Sequence, residues 1–310
     1  MAAPVAVGPA PVERAPLPPA RAAAGGVRML AGIPHAELPG ARPLELDLWL
    51  PPDSAESTDR AFPVVVFLHG GGWRLGSRHG AGPAYAGASP NPFEFVAQAG
   101  IVVASIDYRL SGEAIFPAQL HDAKAAVRWL RARAAEIGVD PERIAAWGES
   151  AGGHLALLLG LTGGVAGLEG SVGVPGSSAV AAVAAWYAPS DFVALPADLG
   201  ADPRDPGTRE AMLLGAAPAT VPERAAQAGP ISHVSADAPP TLLLHGRADR
   251  AIPAVQSERL HAALVAAGAD ARLHLYDGAD HMWLGSDRAA ADAVTRTIDF
   301  LHHHLSGEPS

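Results

Sequence analysis

The sequence predicts an α/β fold in which a mostly parallel central sheet carries helices on both faces. From about residue 27, short β-type segments alternate with longer helical segments, and glycine or proline separates them. That alternation is typical of strands joined by helical crossovers. Two segments, FPVVVFLHG and GIVVASIDY, are unbroken apolar runs, as expected for central strands covered on both faces.

Length and composition favour one domain behind a short leader. With 310 residues and 49% hydrophobic content, the chain is long enough to bury a sizeable core. We expect a single domain at residues 27–310. Residues 1–26 are rich in Ala and Pro and lack a basic start followed by an apolar core, so they are interpreted as a flexible leader and not as a secretion signal.

Charge and cysteine content exclude several classes of partner and site. The chain has 22 Lys and Arg against 32 Asp and Glu, for a net charge of −10, and it has no cysteine. Nucleic acids and anionic membrane surfaces are therefore poor partners, and Cys-based zinc sites and thiol nucleophiles are excluded. No apolar run approaches the roughly 18 residues of a membrane span. We expect a cytoplasmic, soluble protein, with the oligomeric state open and a homodimer among the options.

The first elements follow from their periodicity. Residues 44–50, LELDLWL, alternate apolar and polar positions, which predicts a half-exposed strand. FPAQLHDAKAAVRWLRARAAEIG repeats apolar residues at spacings of three and four, as an amphipathic helix on the sheet would. Lys124, Arg128 and Arg131 fall elsewhere on this helix.

The later elements continue the alternation. DPERIAAWGES predicts a turn and a strand reaching Ser150, and AGGHLALLLGL predicts a buried helix. Further strands are expected at AVAAVAAWY, PPTLLLHG and ARLHLYDG, with helices at 254–267 and 289–304. Residues 188–237 break this rhythm with many Pro, Gly, Asp and Arg residues and one short helical piece near Arg209 to Leu214. We interpret them as a small lid insertion.

Ser150 lies in the pattern Gly148-Glu149-Ser150-Ala151-Gly152, between a predicted strand and a predicted helix. Such a turn is sharp, and neighbouring side chains must be nearly absent for strand and helix to approach. The serine hydroxyl is then exposed at the end of the sheet. The pattern predicts a nucleophile elbow.

A serine nucleophile needs a base, and the base needs an orienting carboxylate. Asp249 follows the strand PPTLLL and His281 follows the strand ARLHL, so the order is Ser, Asp, His. HGGGW follows the strand FPVVVFL, and glycines there allow backbone N–H groups to face a developing oxyanion. The predicted oxyanion donors are the N–H groups of Gly71, Gly72 and Ala151.

These motifs resemble the α/β-hydrolase esterases and lipases with an HGGG motif, related to hormone-sensitive lipase. The branch with bifunctional feruloyl and acetyl-xylan esterases is the most similar, and the resemblance extends from about Leu44 to His304. It implies an α/β-hydrolase fold and a serine carboxylesterase acting on a small-molecule ester without cofactor or metal. Arg247 and Gly229 stand where that family often has an acidic residue and a serine, which puts substrate preference in doubt.

Several other residues have competing interpretations. His69 is interpreted as supporting the oxyanion loop, and His154 as a hydrogen-bonded core histidine. Glu149 is expected to make a structural contact behind the elbow, and Asp280 and Asp277 are weaker rivals of Asp249. The consecutive residues 302–304 are histidines that point about 100° apart on a helix and cannot converge on one metal.

The substrate is less well specified. Five aromatic residues in or next to the motif loops are candidates for substrate binding: Trp73, Tyr108, Tyr187, Phe192 and Trp283. The short, polar insertion favours a shallow site and short acyl groups. The alternatives are a kynurenine-formamidase-like amidase, a peptidase related to prolyl oligopeptidases and a binding protein without catalytic activity.

Overall fold

A computed structural model of the chain describes residues 14–52 and 61–306, and these ranges contain one nine-stranded sheet. The strands are β1 Arg21–Ala22, β2 Arg28–Ala36, β3 Leu44–Leu50, β4 Phe62–Leu68, β5 Val102–Ile106, β6 Val139–Glu149, β7 Val183–Trp186, β8 Thr241–Gly246 and β9 Ala271–Tyr276. Their order is β1-β2-β3-β5-β4-β6-β7-β8-β9. The pairs from β1 to β5 are antiparallel and the pairs from β5 to β9 are parallel, which confirms the mostly parallel sheet.

Helices cover both faces of this sheet. They are α1 Pro92–Gln98, α2 Ala118–Ala132, α3 Ala134–Ile137, α4 Ala151–Leu161, α5 Leu195–Asp198, α6 Arg209–Leu214, α7 Pro222–Ala228, α8 Val255–Ala267 and α9 Asp287–Leu305. Successive side chains of a strand point to opposite faces. In β4, Val64 and Val66 accordingly belong to the core cluster that includes side chains of α2, α4 and α8, whereas Val65 and Phe67 belong to the cluster with α1 and α9. The predicted α/β-hydrolase architecture is confirmed.

Strand β3 has the predicted bounds, but it is not half-exposed. Asp47 in its middle is 1% exposed. Arg78 from the connection after β4 reaches across to it, with 2.9 Å between Arg78 Nε and Asp47 Oδ1. A carboxylate paired with a guanidinium can be covered, so the alternating pattern here reflects a buried ion pair and not a solvated face.

Lys124 and Arg128, two of the three Lys and Arg residues of α2, are also buried. Lys124 is fully buried, and its Nζ donates to Glu169 Oε1 and to the carbonyl of Thr162, each at 2.6 Å. Arg128 donates to the carbonyls of Val172 and Val174. These two cations hold the connection that follows α4 against α2, and they do not form a solvent-exposed face of the helix.

The N-terminal boundary differs from the expectation. Arg21 and Ala22 form β1 against β2, and the N–H of Ala24 donates to Glu94 Oε1 at 2.9 Å. Part of the expected flexible leader therefore packs on the domain, and residues 1–13 lie outside the described residues. Within the described ranges, no helix combines the length and the hydropathy that crossing a bilayer requires.

Residues 188–237, interpreted from the sequence as a small lid insertion, lie in the connection between β7 and β8. The short helix near Arg209 is confirmed with the predicted bounds, and α5, α7 and two 3₁₀ turns, Pro218–Thr220 and Pro230–His233, accompany it. The insertion is tied to the body of the domain. The carbonyl of Leu213 accepts from the N–H of Phe116 at 2.8 Å, and the carbonyl of Ala228 accepts from His154 Nε2 at 2.7 Å.

The parallel strands bring four loops to one edge of the sheet. The chain runs from β4 to β5 on one side and then returns to β6 on the other, so strand order reverses at β4. Ligands of open α/β sheets bind in the crevice outside such a reversal, at the carboxyl ends of the strands. In this chain that crevice lies between the loop after β4 and Ser150 after β6.

Candidate active site

Ser150 occupies a strained turn between β6 and α4. Its backbone has φ 52° and ψ −118°, a conformation that residues with a Cβ rarely adopt. The glycines on either side are required by close contacts. A Cβ on Gly148 would lie 2.3 Å from the carbonyl oxygen of Gly152, and one on Gly152 would lie 2.0 Å from that of Leu68. The Gly-X-Ser-X-Gly pattern therefore serves a tight strand-to-helix turn.

Ser150, His281 and Asp249 form one hydrogen-bonded chain. Ser150 Oγ lies 3.0 Å from His281 Nε2, and His281 Nδ1 lies 2.7 Å from Asp249 Oδ2. A carboxylate only accepts, so Nδ1 carries the proton and Nε2 is free to accept the serine proton. All three residues are buried, at 8% exposure or less. The arrangement can activate the serine hydroxyl as a nucleophile.

The Asp249 carboxylate is hydrogen-bonded on both oxygens. Oδ1 accepts from the N–H groups of Ala251 and Ile252 at 2.9 and 2.8 Å. Oδ2 receives His281 and also lies 3.3 Å from His245 Nε2. Burial alone would raise the pKa of this carboxyl, but the hydrogen bonds from His245 and His281 hold the pKa well below its usual value. Asp249 therefore remains ionised.

His245, at the end of β8, is a site residue that the sequence interpretation missed. It is fully buried. Its Nε2 also lies 2.8 Å from the carbonyl of Ile252, so Nε2 carries the proton, and Nδ1 accepts from the hydroxyl of Ser257 at 2.7 Å. The only available signal was its position four residues before Asp249, in HGRAD.

The loop after β4 approaches the elbow through strand pairing. Leu68 pairs with Gly148 in the sheet, which places the glycines at 70–72 beside Ser150. Gly71 and Gly72 have φ 111° and 61°. Among the described residues, the N–H groups of Gly71, Gly72 and Ala151 have no hydrogen-bond acceptor. Three such donors around Ser150 can bind an oxyanion.

His69 and Tyr108 support this loop from below. His69 Nδ1 donates to the carbonyl of Gly70 at 2.7 Å, and its ring stacks on Tyr108 with 4.3 Å between ring centroids. The Tyr108 hydroxyl donates to the carbonyl of His69 at 2.8 Å. Burial lowers the pKa of His69 to about 4. This agrees with the interpretation of His69 as a loop support and not as a second base.

Glu149 connects the elbow to two other parts of the site. Its Oε1 accepts from the N–H of Gly70 at 3.2 Å, and its Oε2 accepts from the Tyr187 hydroxyl at 2.6 Å. The Tyr187 ring in turn contacts the ring of His281, with 4.8 Å between centroids. Burial raises the pKa of the Glu149 carboxyl, although the bonds from Tyr187 and Gly70 oppose that rise. Glu149 therefore makes the expected structural contact behind the elbow, and through Tyr187 this contact extends to His281.

His154 is a satisfied core histidine. Its Nδ1 accepts from Trp73 Nε1 at 3.2 Å, and its Nε2 donates to the carbonyl of Ala228 at 2.7 Å. Phe192 stacks on its ring at 4.8 Å between centroids. Burial lowers the pKa of His154 to about 4. Its side chain joins α4 to the insertion, and its ring nitrogens bond Trp73 and Ala228 and not the side chains of Ser150, His281 or Asp249.

Neither rival carboxylate, Asp280 or Asp277, hydrogen-bonds the imidazole of His281. Asp280 Oδ1 accepts from the backbone N–H of His281 at 2.7 Å, and its Oδ2 pairs with Arg250. Asp277 is exposed and pairs with Arg247 at 2.9 Å. No group of three potential metal ligands occurs in the part of the chain that the structure describes.

A cavity of about 770 Å³ opens above Ser150. Its wall is formed mainly by residues within 69–93, together with Glu149, Ser150, Arg209, His281 and Met282. Only Arg209 comes from the insertion, so the connection after β4 forms most of the wall, contrary to the expectation of a lid at 188–237.

The five aromatic candidates for substrate binding lie elsewhere. Trp73, Tyr108, Tyr187, Phe192 and Trp283 are each buried at 2% exposure or less, and none of them lines this cavity. The first four are held by the contacts with His154, His69 and Glu149 described above. Trp283 packs against Tyr187 with 4.7 Å between ring centroids. They form the scaffold behind the site, so the structure does not bring them to the substrate.

Comparison with known proteins places this arrangement in a family. The family model described as BD-FAE matches residues 46–264 of the chain. Esterase LipQ of Mycobacterium tuberculosis is 34% identical over 242 residues, which cover 76% of this chain and 53% of LipQ. The chain spans about half the length of the curated relatives it matches.

Solved structures agree in fold over most of the chain. A truncated carbohydrate esterase from gut microbiota is 30% identical, with a TM-score of 0.77, and covers 92% of this chain and 100% of that one. Est2 of the Planctomycetes species Thermogutta terrifontis, described as a thermophilic esterase and solved with butyrate bound, is 27% identical. Its TM-score is 0.66, and the match covers 89% of this chain and 97% of Est2.

Proposed function

The chain belongs to the BD-FAE family of α/β-hydrolases, and we propose that it is a serine carboxylesterase that hydrolyses short-chain acyl esters. The single observation that carries the proposal is the hydrogen-bonded chain from Ser150 through His281 to Asp249. The esterase names of LipQ and of the two structural relatives support the same reaction class.

In the first half of the proposed reaction, Ser150 Oγ attacks the ester carbonyl carbon while His281 Nε2 takes the hydroxyl proton. Asp249 stabilises the resulting imidazolium through the bond at Nδ1. The carbonyl oxygen becomes an oxyanion and accepts from the N–H groups of Gly71, Gly72 and Ala151. The tetrahedral intermediate then collapses, His281 returns the proton to the leaving alkoxide, and the alcohol departs from an acyl-serine.

In the second half, a water molecule replaces the alcohol. His281 takes a proton from the water as its oxygen attacks the acyl carbon, and the same N–H groups bind the second oxyanion. Collapse breaks the bond to Ser150 Oγ, which recovers the proton from His281. The products are a carboxylic acid and free enzyme, so the two steps together add one water across the ester bond.

The size of the acyl group is the finer part of the proposal. Est2 was solved with butyrate, a four-carbon acid, and a solved form of the same esterase holds propionate. The cavity wall of this chain combines glycine and polar side chains with apolar ones such as Leu75, Phe93 and Met282, and the short acids bound in Est2 support a short acyl group. Acetyl to butyryl esters are therefore the proposed substrates.

A panel of substrates tests this function. It contains p-nitrophenyl esters from acetate to palmitate, acetylated sugars, feruloyl esters and N-formylkynurenine, and it measures kcat/KM for each. The expected result is fastest turnover of the acetate and butyrate esters. Faster turnover of the laurate or palmitate ester would overturn the short-acyl proposal, and N-formylkynurenine hydrolysed faster than every ester would favour the amidase alternative.

A further inference from the structure

The charges on the cavity wall are opposite in sign to those of the whole chain. The chain carries 32 acidic and 22 basic side chains, Asp and Glu against Lys and Arg. Among the described residues that line the cavity, the only acidic side chain is Glu149, which is buried with both oxygens hydrogen-bonded. The wall also contains Arg74 and Arg209, which are solvent-accessible. An anion entering the cavity therefore meets guanidinium groups and no exposed carboxylate of the described wall.

Arg209 is held next to the oxyanion loop. It is the first residue of α6, and its side chain packs over Gly72. A Cβ on Gly72 would lie 2.7 Å from Arg209 Cδ, so the absence of a side chain at residue 72 makes room for the arginine stem. Arg209 is also the only residue of the insertion that lines the cavity. The insertion thus contributes one cation beside the predicted oxyanion donors.

Neither arginine forms an ion pair with a carboxylate in the part of the chain that the structure describes. Among the described residues, no Asp or Glu oxygen lies within 4.0 Å of Arg74 or Arg209 in an ion pair, and the side-chain contact of Arg74 is with Met212 Sδ at 3.7 Å. Arg78, only four residues after Arg74, differs sharply. It pairs with Glu45 at 2.8 Å and with Asp47 at 2.9 Å. The guanidinium donors of Arg74 and Arg209 are therefore available to a ligand.

We infer that Arg74 and Arg209 select acyl esters that carry a second, ionised carboxylate group. The inference rests on the proposed esterase function and names its substrate class. A guanidinium presents paired N–H donors that match a carboxylate, and such charge-assisted bonds are stronger than neutral ones. The ester is held over Ser150 while its remote carboxylate is bound at the arginines.

Matched substrates test the charge preference on either side of the ester bond. For the acyl side, p-nitrophenyl hydrogen adipate is compared with p-nitrophenyl hexanoate. For the alcohol side, 4-carboxyphenyl acetate is compared with 4-carbamoylphenyl acetate. At low salt the anionic member of at least one pair is expected to have the higher kcat/KM, on the order of tenfold. Raising the salt to about 0.5 M should reduce this ratio, since salt screens exposed charges.

Arginine variants assign the preference to these two residues. Arg209→Met and Arg74→Met keep much of the apolar stem and remove the charge, and the double variant is expected to lose most of the anionic preference through a higher KM for the anionic ester. Arg204→Met is the matched control. Arg204 is exposed in the same insertion and does not line the cavity, so its removal changes the net charge equally and should leave the ratio unchanged.

The outcomes separate this inference from the function on which it rests. Wild-type protein that hydrolyses neutral esters but shows no anionic preference in either pair would overturn the inference and leave the esterase function standing. A preference that survives in the double variant, or that Arg204→Met removes equally, would also overturn it. Failure to hydrolyse any ester, neutral or anionic, would instead contradict the proposed function itself.

Discussion

His245 Nε2 lies 3.3 Å from Asp249 Oδ2, the same carboxylate oxygen that accepts from His281 Nδ1 at 2.7 Å. Two histidines therefore contact one oxygen of the proposed triad acid, and both lower its pKa. His245 is itself anchored by Ile252 and Ser257. We interpret it as a positioning residue that keeps Asp249 ionised and oriented toward His281.

Replacing His245 tests that role. His245→Phe removes a donor to a buried carboxylate, and we expect kcat to fall on the order of tenfold. The pKa of Asp249 should also rise, because one of the hydrogen bonds that hold it low is lost, and NMR titration of the carboxyl measures that change. His245→Gln keeps an amide donor and should change less in both kcat and this pKa. Equal losses of kcat in the two variants, with an unchanged pKa of Asp249, would leave His245 only a packing role.

Replacing Asp249 by Asn tests which carboxylate orients the imidazole. The amide can donate a hydrogen to Nδ1 and so favours the wrong tautomer of His281, and kcat should fall by about 10⁴ in a protein that still folds. Asp280→Asn is the matched control, because Asp280 bonds the backbone N–H of His281 and not its ring. A severe loss in the control and a mild one in Asp249→Asn would transfer the role to Asp280.

Glu149 should affect turnover more than substrate binding. Its bond to the N–H of Gly70 holds the oxyanion loop, whose donors matter chiefly in the transition state. Glu149→Ala should therefore lower kcat on the order of tenfold with little change in KM. Glu149→Gln can keep the bond from Gly70 and should lose less. Steady-state kinetics of both variants with p-nitrophenyl butyrate makes the comparison, and a rise in KM at constant kcat would count against it.

Acid should destabilise the fold through buried histidines. Burial lowers the pKa of His35, His69 and His154 to about 4. Between their usual pKa near 6.5 and about 4, the unfolded chain binds protons that the folded chain does not, so stability falls as pH falls through this window. Each such histidine contributes a slope of up to about 1.4 kcal/mol per pH unit. Burial raises the pKa of Glu149, which offsets part of this loss.

Urea unfolding between pH 7 and pH 4 measures this slope. The free energy of unfolding should decrease steadily across the window. His154→Gln should take up about one proton fewer than the wild type on unfolding in this window. The slope of its free energy of unfolding against pH should therefore be smaller, whatever the absolute stability of the variant. A free energy of unfolding that stays constant or rises on acidification would show that these histidines do not remain neutral in the folded protein.

The sequence predicted the fold and the proposed triad because both depend on local signals. Strand β4 is a continuous apolar run, α4 is apolar all round, and Ser150, Asp249 and His281 each follow a strand of one parallel sheet. Parallel strands end at the same edge, so the order of motifs along the chain was enough to bring these residues together.

What the sequence could not predict depends on contacts between distant segments. The sequence pattern indicated a solvent-exposed Asp47. Its ion-pair partner Arg78 lies 31 residues further along the chain, and no local pattern predicts that contact. Trp73 and Tyr187 stand next to motif residues but turn inward to His154 and Glu149. Arg209 was seen as part of a short helix, and only the fold shows that its stem packs against Gly72.

The central claim is that Ser150 is the nucleophile, and covalent labelling tests it most directly. A fluorophosphonate probe should add one label per chain, located by peptide mass spectrometry at Ser150, and should abolish hydrolysis of p-nitrophenyl butyrate. In folded Ser150→Ala the label should be absent and turnover should fall on the order of 10⁶-fold. A label on another residue, or a variant that keeps a tenth of the wild-type activity, would contradict the account.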